Sequence, residues 1–278
     1  MLHVARTGLP GTRTIERMAR IRLDQLLTDR GLARSRAEAQ ARILAGDVVL
    51  ESAGTRTLKP GQLVGSDAQV SLVDKPRWAS RAGAKLEHAL DRFGVDPTGM
   101  ACLDAGASTG GFTDVLLGRG ARIVYAVDVG RAQLLDRLRR DPRVVSMERT
   151  NLRELDRLPE PVDLATLDLS FISLRLVLPA VRALLAEHGR VIALVKPQFE
   201  AGRDDVPRGG VVRDPRTWER VLRELARDAT ATGLHAHRAI RSPITGTDGN
   251  VEFLVDLRRD PAGAERFADS SVEAVRGV

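Results

Sequence analysis

The sequence predicts an α/β protein, and three observations predict it. From Ala101 to Lys196, short apolar segments ending in charged residues alternate with helix-periodic ones, the pattern of a parallel sheet covered on both faces. A glycine-rich turn, Leu103–Phe112, stands between the first of these strands and the next helix. Ahead of them, residues 21–74 carry helices and strands of their own, so a small α+β domain precedes the larger one. A chain of 278 residues is long enough for two cores.

Residues 1–20 lack periodicity and read as a disordered basic arm, with Met18 a candidate translation start. Leu23, Leu26 and Leu27 then share one helical face, and Gly31 ends that helix. A second helix opens at Ser35 with Glu38 three residues on, a capping box in which each side chain serves the other's backbone amide. Ala37, Ala41 and Leu44 are expected to form its buried face, and Gly46 to close it. Short strands follow at Val48–Leu50 and Val70–Val73. Residues 75–81 read as a linker broken by Pro76.

The larger domain spans 82–260. Leu86, Ala89, Leu90 and Phe93 recur at helical spacing, and strands are expected at Ala101–Asp104, Arg122–Asp128, Val144–Met147, Asp163–Asp168 and Val191–Lys196. Asp214 caps a helix with Pro215 at its first position, which runs to Gly233. Leu234–Ile240 and Asn250–Leu257 are expected as an antiparallel pair, and 261–278 as a loose tail.

Composition narrows the function. The longest apolar stretches, such as Leu174–Leu185, contain arginines, so no membrane span is expected. With no signal-peptide pattern at the N-terminus, the expected location is the cytoplasm. A single cysteine, Cys102, and five histidines without metal-ligand spacing argue against a disulfide framework and a metal site. A net charge of +6, with arginines crowded into the first 42 residues, favours a polyanionic partner. Of 43 basic residues only Lys59, Lys75, Lys85 and Lys196 are lysines. In so arginine-rich a chain a retained lysine points to work arginine cannot do, since lysine sheds its proton when desolvated and arginine does not.

The chemistry centres on L-D-A-G-A-S-T-G-G-F, Leu103–Phe112. The turn lacks the Lys-Ser/Thr of a nucleotide-triphosphate loop and the clean G-x-G-x-x-G of a dinucleotide site. Its form, a strand ending in an acid and then glycines opening a helix, looks like the first motif of Rossmann-like, S-adenosylmethionine-dependent methyltransferases. Asp104, Gly106, Ser108, Gly110, Gly111 and Phe112 are therefore candidate cofactor residues. Asp128, ending the second strand some twenty residues on, is the candidate ribose-binding carboxylate. Asp168 and Lys196 end the fourth and fifth strands, and strand carboxyl ends line the ligand crevice of such sheets. Glu252 lies on the last strand facing away from Val251, Phe253 and Val255, and Lys85 heads the first helix of the domain in S-R-A-G-A-K-L.

Residues 21–257 resemble the haemolysin A / TlyA family of ribosomal RNA 2′-O-methyltransferases, related to the FtsJ methyltransferases. The resemblance rests on Leu23–Ala39, Ser80–Leu86, Leu103–Thr113, D-P-R-V-V at Asp141–Val145, D-L-S-F-I-S-L at Asp168–Leu174, V-K-P-Q-F-E at Val195–Glu200 and G-N-V-E at Gly249–Glu252. It implies a class I methyltransferase sheet, S-adenosylmethionine as cofactor, a cytidine ribose as acceptor and ribosomal RNA or ribosomal subunits as partner. It also implies an N-terminal RNA-binding domain similar to that of ribosomal protein S-four, and a catalytic set falling on Lys85, Asp168, Lys196 and Glu252. Pro76 and Ala79 depart from the family's linker pattern, whereas Trp78 keeps it.

Arg30, Arg34, Arg36 and Arg81 are the expected RNA contacts, and Phe199 the expected stacking residue in a chain of nine aromatics. Methyl transfer to a ribose hydroxyl needs in-line positioning and a path for the hydroxyl proton, for which Lys196 beside Asp168 is the candidate. Three rival classes are a membrane-active haemolysin, a non-catalytic RNA-binding protein and an NAD-dependent enzyme. The absence of an apolar spanning segment, the complete tetrad and the glycine spacing respectively weigh against them.

Overall fold

The structure, a computed structural model, describes residues 20–44, 46–51, 58–72, 77–131, 133–202, 205–246 and 248–277. The expected basic arm therefore lies outside the described residues, except for Arg20. Two compact units divide the chain between Pro76 and Arg77.

The first unit opens with β1 (Arg20–Arg22), followed by α1 (Leu23–Asp29), α2 (Arg36–Leu44), β2 (Val48–Leu50), β3 (Leu63–Gly65) and β4 (Val70–Leu72). β1 pairs antiparallel with β3, and β2 with β4. The core joins Leu23, Leu26 and Leu27 of α1 to Ile43, Val48, Leu50 and Val64. The expected face of α2 is corrected here. Ala37 and Ala41 are exposed and Leu44 is 74% exposed, while Ala39 and Ile43 are buried. Two residues turn a helix by about 200°, so a stripe displaced by two positions looks outward. The capping box is also modified. Ser35 Oγ accepts from the Glu38 amide at 3.2 Å, but the Glu38 carboxylate reaches back to the amide of Arg34 at 2.9 Å.

The second unit contains α3 (Ala82–Phe93), β5 (Ala101–Ala105), α4 (Gly111–Gly118), β6 (Ile123–Val127), α5 (Asp136–Arg139), β7 (Val144–Met147), β8 (Val162–Leu167), α6 (Leu178–Leu184) and β9 (Leu185–Val195). Then come α7 (Pro197–Glu200), α8 (Pro215–Ala231), β10 (His235–Arg241), β11 (Phe253–Arg258) and α9 (Phe267–Arg276). Seven strands form one sheet in the order β10-β11-β9-β8-β5-β6-β7. β5 to β9 run parallel, and β11 runs antiparallel to both its neighbours.

Alternation along the strands feeds two cores. Leu103, Ala193, Phe253 and Val255 face Val181 of α6 and Trp218 of α8, whereas Cys102, Ile192 and Leu254 face Leu86 of α3 and Phe112 of α4. Both sheet faces are thereby buried, as the near-continuous apolar strands require.

Two segments behave differently from expectation. The tail after Asp260 contains α9, whose Phe267, Ser271 and Ala274 are buried. Their spacing is helical, but one phenylalanine among small residues made the stripe hard to see. Trp78, expected within a linker, is seated between α3 and α4. A Cβ at Gly83 or Gly118 would lie 2.4 Å or 2.7 Å from its side chain, and its indole donates to Glu87 at 3.0 Å.

Candidate active site

The glycine turn is held from beneath by Asp104. Its buried carboxylate accepts from the Thr113 amide at 2.8 Å and the Thr113 hydroxyl at 2.6 Å, which pins the start of α4 to β5. Burial pushes the Asp104 carboxyl up to about 7, against the opposing pull of those hydrogen bonds. Gly106 has φ 84°, and its amide donates to the Val127 carbonyl at 2.8 Å. Gly110 has φ 95°, and a Cβ there would strike Leu138 and Leu134 of the α5 region. Gly111 lies against Ser80 and Ala82 at the head of α3.

Seven residues were expected to touch the cofactor, and they divide by exposure. Ser108 is exposed, and Gly106 and Asp128 are half-buried, so these three border solvent. Asp104, Gly110, Gly111 and Phe112 are enclosed, and Phe112 belongs to the core, so the structure gives these four a framing place in the turn. Asp128 stands where β6 ends, beside the glycine turn. Its oxygens accept from the Ser108 amide at 2.8 Å and the Gly130 amide at 2.6 Å.

The four candidate catalytic residues form two buried ion pairs. Lys196 Nζ lies 2.7 Å from Asp168 Oδ1 and donates to Ser170 Oγ at 3.0 Å. Lys85 Nζ lies 2.5 Å from Glu252 Oε2. Lys85 and Lys196 are each 8% exposed and Glu252 is 3% exposed. Charges so far from water persist only when paired.

Strand register explains the convergence. Ala105 pairs with Leu167, so the next residues, Gly106 and Asp168, emerge side by side. Phe253 pairs with Val195, so Glu252 follows opposite Lys196. Gly246 lets the hairpin before β11 approach Glu252, since a Cβ there would come within 2.7 Å of Oε1.

Several functional groups escaped the sequence reading. Ser170 completes the seat of Lys196. Glu200, the last residue of V-K-P-Q-F-E, accepts from the Ser173 hydroxyl at 2.6 Å and the Leu174 amide at 2.9 Å. It thereby ties the turn carrying Lys196 to the loop carrying Asp168, and burial raises its carboxyl above the ordinary range. Phe171 is 90% exposed with φ 63°, and its ring centroid is 5.1 Å from that of Phe199. An exposed aromatic in left-handed backbone is costly and needs a use. Only the D-L-S-F motif itself hinted at it.

In the first unit, Arg30 and Arg34 are exposed, and Arg30 donates to the Ser66 carbonyl at 2.9 Å. Arg36 sits 3.5 Å from a fully buried Asp24, which also accepts from Arg22 and Gln40. The Arg22 guanidinium beside it holds the Asp24 carboxyl well below the usual range. Arg22 and Asp24 were not anticipated. Arg81, in the second unit, is exposed just ahead of α3.

Residues 78–259 match the FtsJ-like methyltransferase family. The chain belongs to this family. Among curated relatives, the 16S/23S rRNA (cytidine-2′-O)-methyltransferase TlyA of Mycobacterium tuberculosis is 47% identical over 245 residues, 86% of this chain and 90% of that one. Hemolysin A of Brachyspira hyodysenteriae is 38% identical over 240 residues, covering 84% and 98%. A Streptococcus thermophilus protein bearing the hemolysin name, whose structure is solved, aligns with a TM-score of 0.70 at 40% identity, covering 93% of this chain and 98% of that one.

Membership makes the protein an S-adenosylmethionine-dependent methyltransferase, and the site fits that cofactor. The turn at Gly106 packs so closely on the Asp168 backbone that it leaves no space for a side chain, and exposed Ser108 and half-buried Asp128 border the turn on its solvent side. Among the described residues no helix is long and apolar enough to cross a membrane.

Proposed function

We propose that the enzyme methylates the 2′-hydroxyl of a cytidine ribose in ribosomal RNA, in the cytoplasm. The observation that carries this reading is the Lys196–Asp168 pair at 2.7 Å, set beside the glycine turn and opposite the Lys85–Glu252 pair. Relatives named as rRNA methyltransferases support the substrate class.

S-adenosylmethionine supplies an electrophilic methyl group when bound. The Gly106–Gly111 turn and Asp128, at the carboxyl ends of β5 and β6, would hold it. The ribose hydroxyl is a poor nucleophile and must lose its proton as the new carbon–oxygen bond forms. Lys196 Nζ takes that proton after losing one of its own to solvent, and so returns to the ammonium that pairs with Asp168, while Ser170 fixes its direction. Lys85, anchored by Glu252, places positive charge beside the acceptor nucleotide. Phe171 and Phe199 offer ring faces at the rim for the unstacked base. The first unit grips the RNA backbone through Arg30, Arg34 and Arg36, and Arg81 adds to that grip. Phosphate contacts of this kind weaken steeply with salt.

The test is methylation of rRNA from cells lacking this gene, followed by mapping of 2′-O-methyl riboses. A labelled cytidine, lost in Lys196→Ala, is the expected result. A methyl group on a base, or none on RNA, would refute the proposal.

A further inference from the structure

A cavity lies at the end of β11 remote from Glu252. It has a volume of about 300 Å³ and opens between β10, the end of β11 and the turn before α9, lined by His237, Arg238, Arg258, Gly263, Glu265 and Arg266. Arg258 is six residues beyond Glu252 along one strand, about 20 Å away, so this is no extension of the methyl-transfer site.

Its charge is unbalanced. Arg258 shares the single carboxylate of Asp256 with Arg190. Arg238 donates to the Arg92 carbonyl at 2.9 Å and has no carboxylate partner among the described residues. Arg266 and Glu265 are 4.0 Å apart and largely exposed, a pairing worth little in water. An anion entering here would meet guanidinium groups with free donors, the geometry that recognises phosphate.

His237 adds a second requirement. It is 4% exposed, and its Nε2 lies 2.7 Å from the Asp260 carbonyl, so Nε2 donates. Nδ1 of the neutral ring is then an acceptor. It faces Gly263, where an added Cβ would sit 3.4 Å from it, and no hydrogen bond to it is made among the described residues. An acceptor reachable from the cavity and set among arginines suits a ligand carrying a hydroxyl next to its phosphate. DNA lacks that hydroxyl, whereas every RNA nucleotide has one.

We infer that this cavity holds one ribose–phosphate unit of the RNA backbone, with Arg238, Arg258 and Arg266 on the phosphate and His237 Nδ1 accepting from the 2′-hydroxyl. The inference rests on RNA being the substrate, and gives the methyltransferase domain a grip remote from its chemistry.

The experiment uses full-length protein carrying labelled histidine, with Arg266→Ala and Arg238→Gln as variants. Among the described residues the Arg266 side chain pairs only with exposed Glu265, so its loss leaves the fold intact. Cytidine 3′-monophosphate should shift the His237 resonance at lower concentration than 2′-deoxycytidine 3′-monophosphate or inorganic phosphate, and both variants should lose the response. Their affinity for deproteinised rRNA should fall about fivefold with a salt dependence shallower by about one phosphate, while methylation at saturating RNA is unchanged. Equal responses to the two nucleotides overturn the role of His237. No response to any probe, with parent-like RNA affinity, overturns the site altogether. Failure of the substrate assignment looks different: the parent protein would then methylate no RNA, whatever the state of this cavity.

Discussion

The α-carbon of Gly106 faces the backbone carbonyl of Asp168 so closely that a Cβ at residue 106 would lie 2.4 Å from that oxygen. The glycine turn and the end of the strand that carries Asp168 are thus in direct backbone contact. Gly106→Ala should therefore harm both functions, by displacing Asp168 as well as by straining a left-handed residue. An ångström of misplacement is worth about a hundredfold in rate. Calorimetry should show weakened cofactor binding, and single-turnover assays a loss of about that size. A variant impaired only in cofactor binding would show that the two sites are independent.

Charge and proton chemistry separate at Lys196. Arginine in its place could still pair with Asp168, but it stays protonated and its planar head is larger. Lys196→Arg should be nearly as inactive as Lys196→Ala, with the loss in the chemical step and not in RNA or cofactor affinity. Single-turnover methylation across pH measures this. Near-normal rates for the arginine variant would reduce Lys196 to an electrostatic anchor.

Glu200 is expected to act by positioning. Glu200→Ala frees the Asp168 loop from the Lys196 turn and should lower kcat about tenfold or more, with KM for RNA little changed. Glu200→Gln keeps one acceptor oxygen and should recover part of the rate. Equal damage from both, with lowered thermal stability, would mark Glu200 as structural only.

Phe171 should matter to the nucleotide and not to the cofactor. Stacking of a base on an aromatic ring is worth about 1–3 kcal/mol. Phe171→Ala should therefore cost about five- to 150-fold in kcat/KM for RNA. Cofactor titrations should match the parent. Stability should rise slightly if the left-handed backbone relaxes.

Asp104 gives a pH dependence of known sign. Its folded carboxyl is raised from 3.8 to about 7, so the native state binds the proton more tightly than the unfolded chain. That contribution to stability is complete below about pH 4 and fades as pH rises through about 7. Melting temperatures of the parent should therefore fall between pH 5 and 8 more steeply than those of Asp104→Asn. Parallel curves would mean that Asp104 titrates elsewhere.

The sequence by itself determined the sheet and the positions of its chemistry. Strand alternation and the glycine turn are local properties, and in a parallel sheet the carboxyl ends of strands share one edge, so Asp168 and Lys196 were legible as neighbours of the turn. Tertiary structure decided the partners. Lys85 and Glu252 are 167 residues apart, and only the packing of α3 against β11 brings them together. Glu200 was legible only as the end of the V-K-P-Q-F-E motif, and its bonds to Ser173 and Leu174 exist only once α7 packs on the loop after β8. The buried face of α2 turned on which stripe of small residues met α1, a choice that Ala37 and Ala39 do not differ enough to signal. Helix α9 and the arginine-lined cavity beside it arise from packing on β10, which the pattern of the tail alone does not encode. Periodicity records what each segment buries, whereas pairing across the fold depends on where the other segments end.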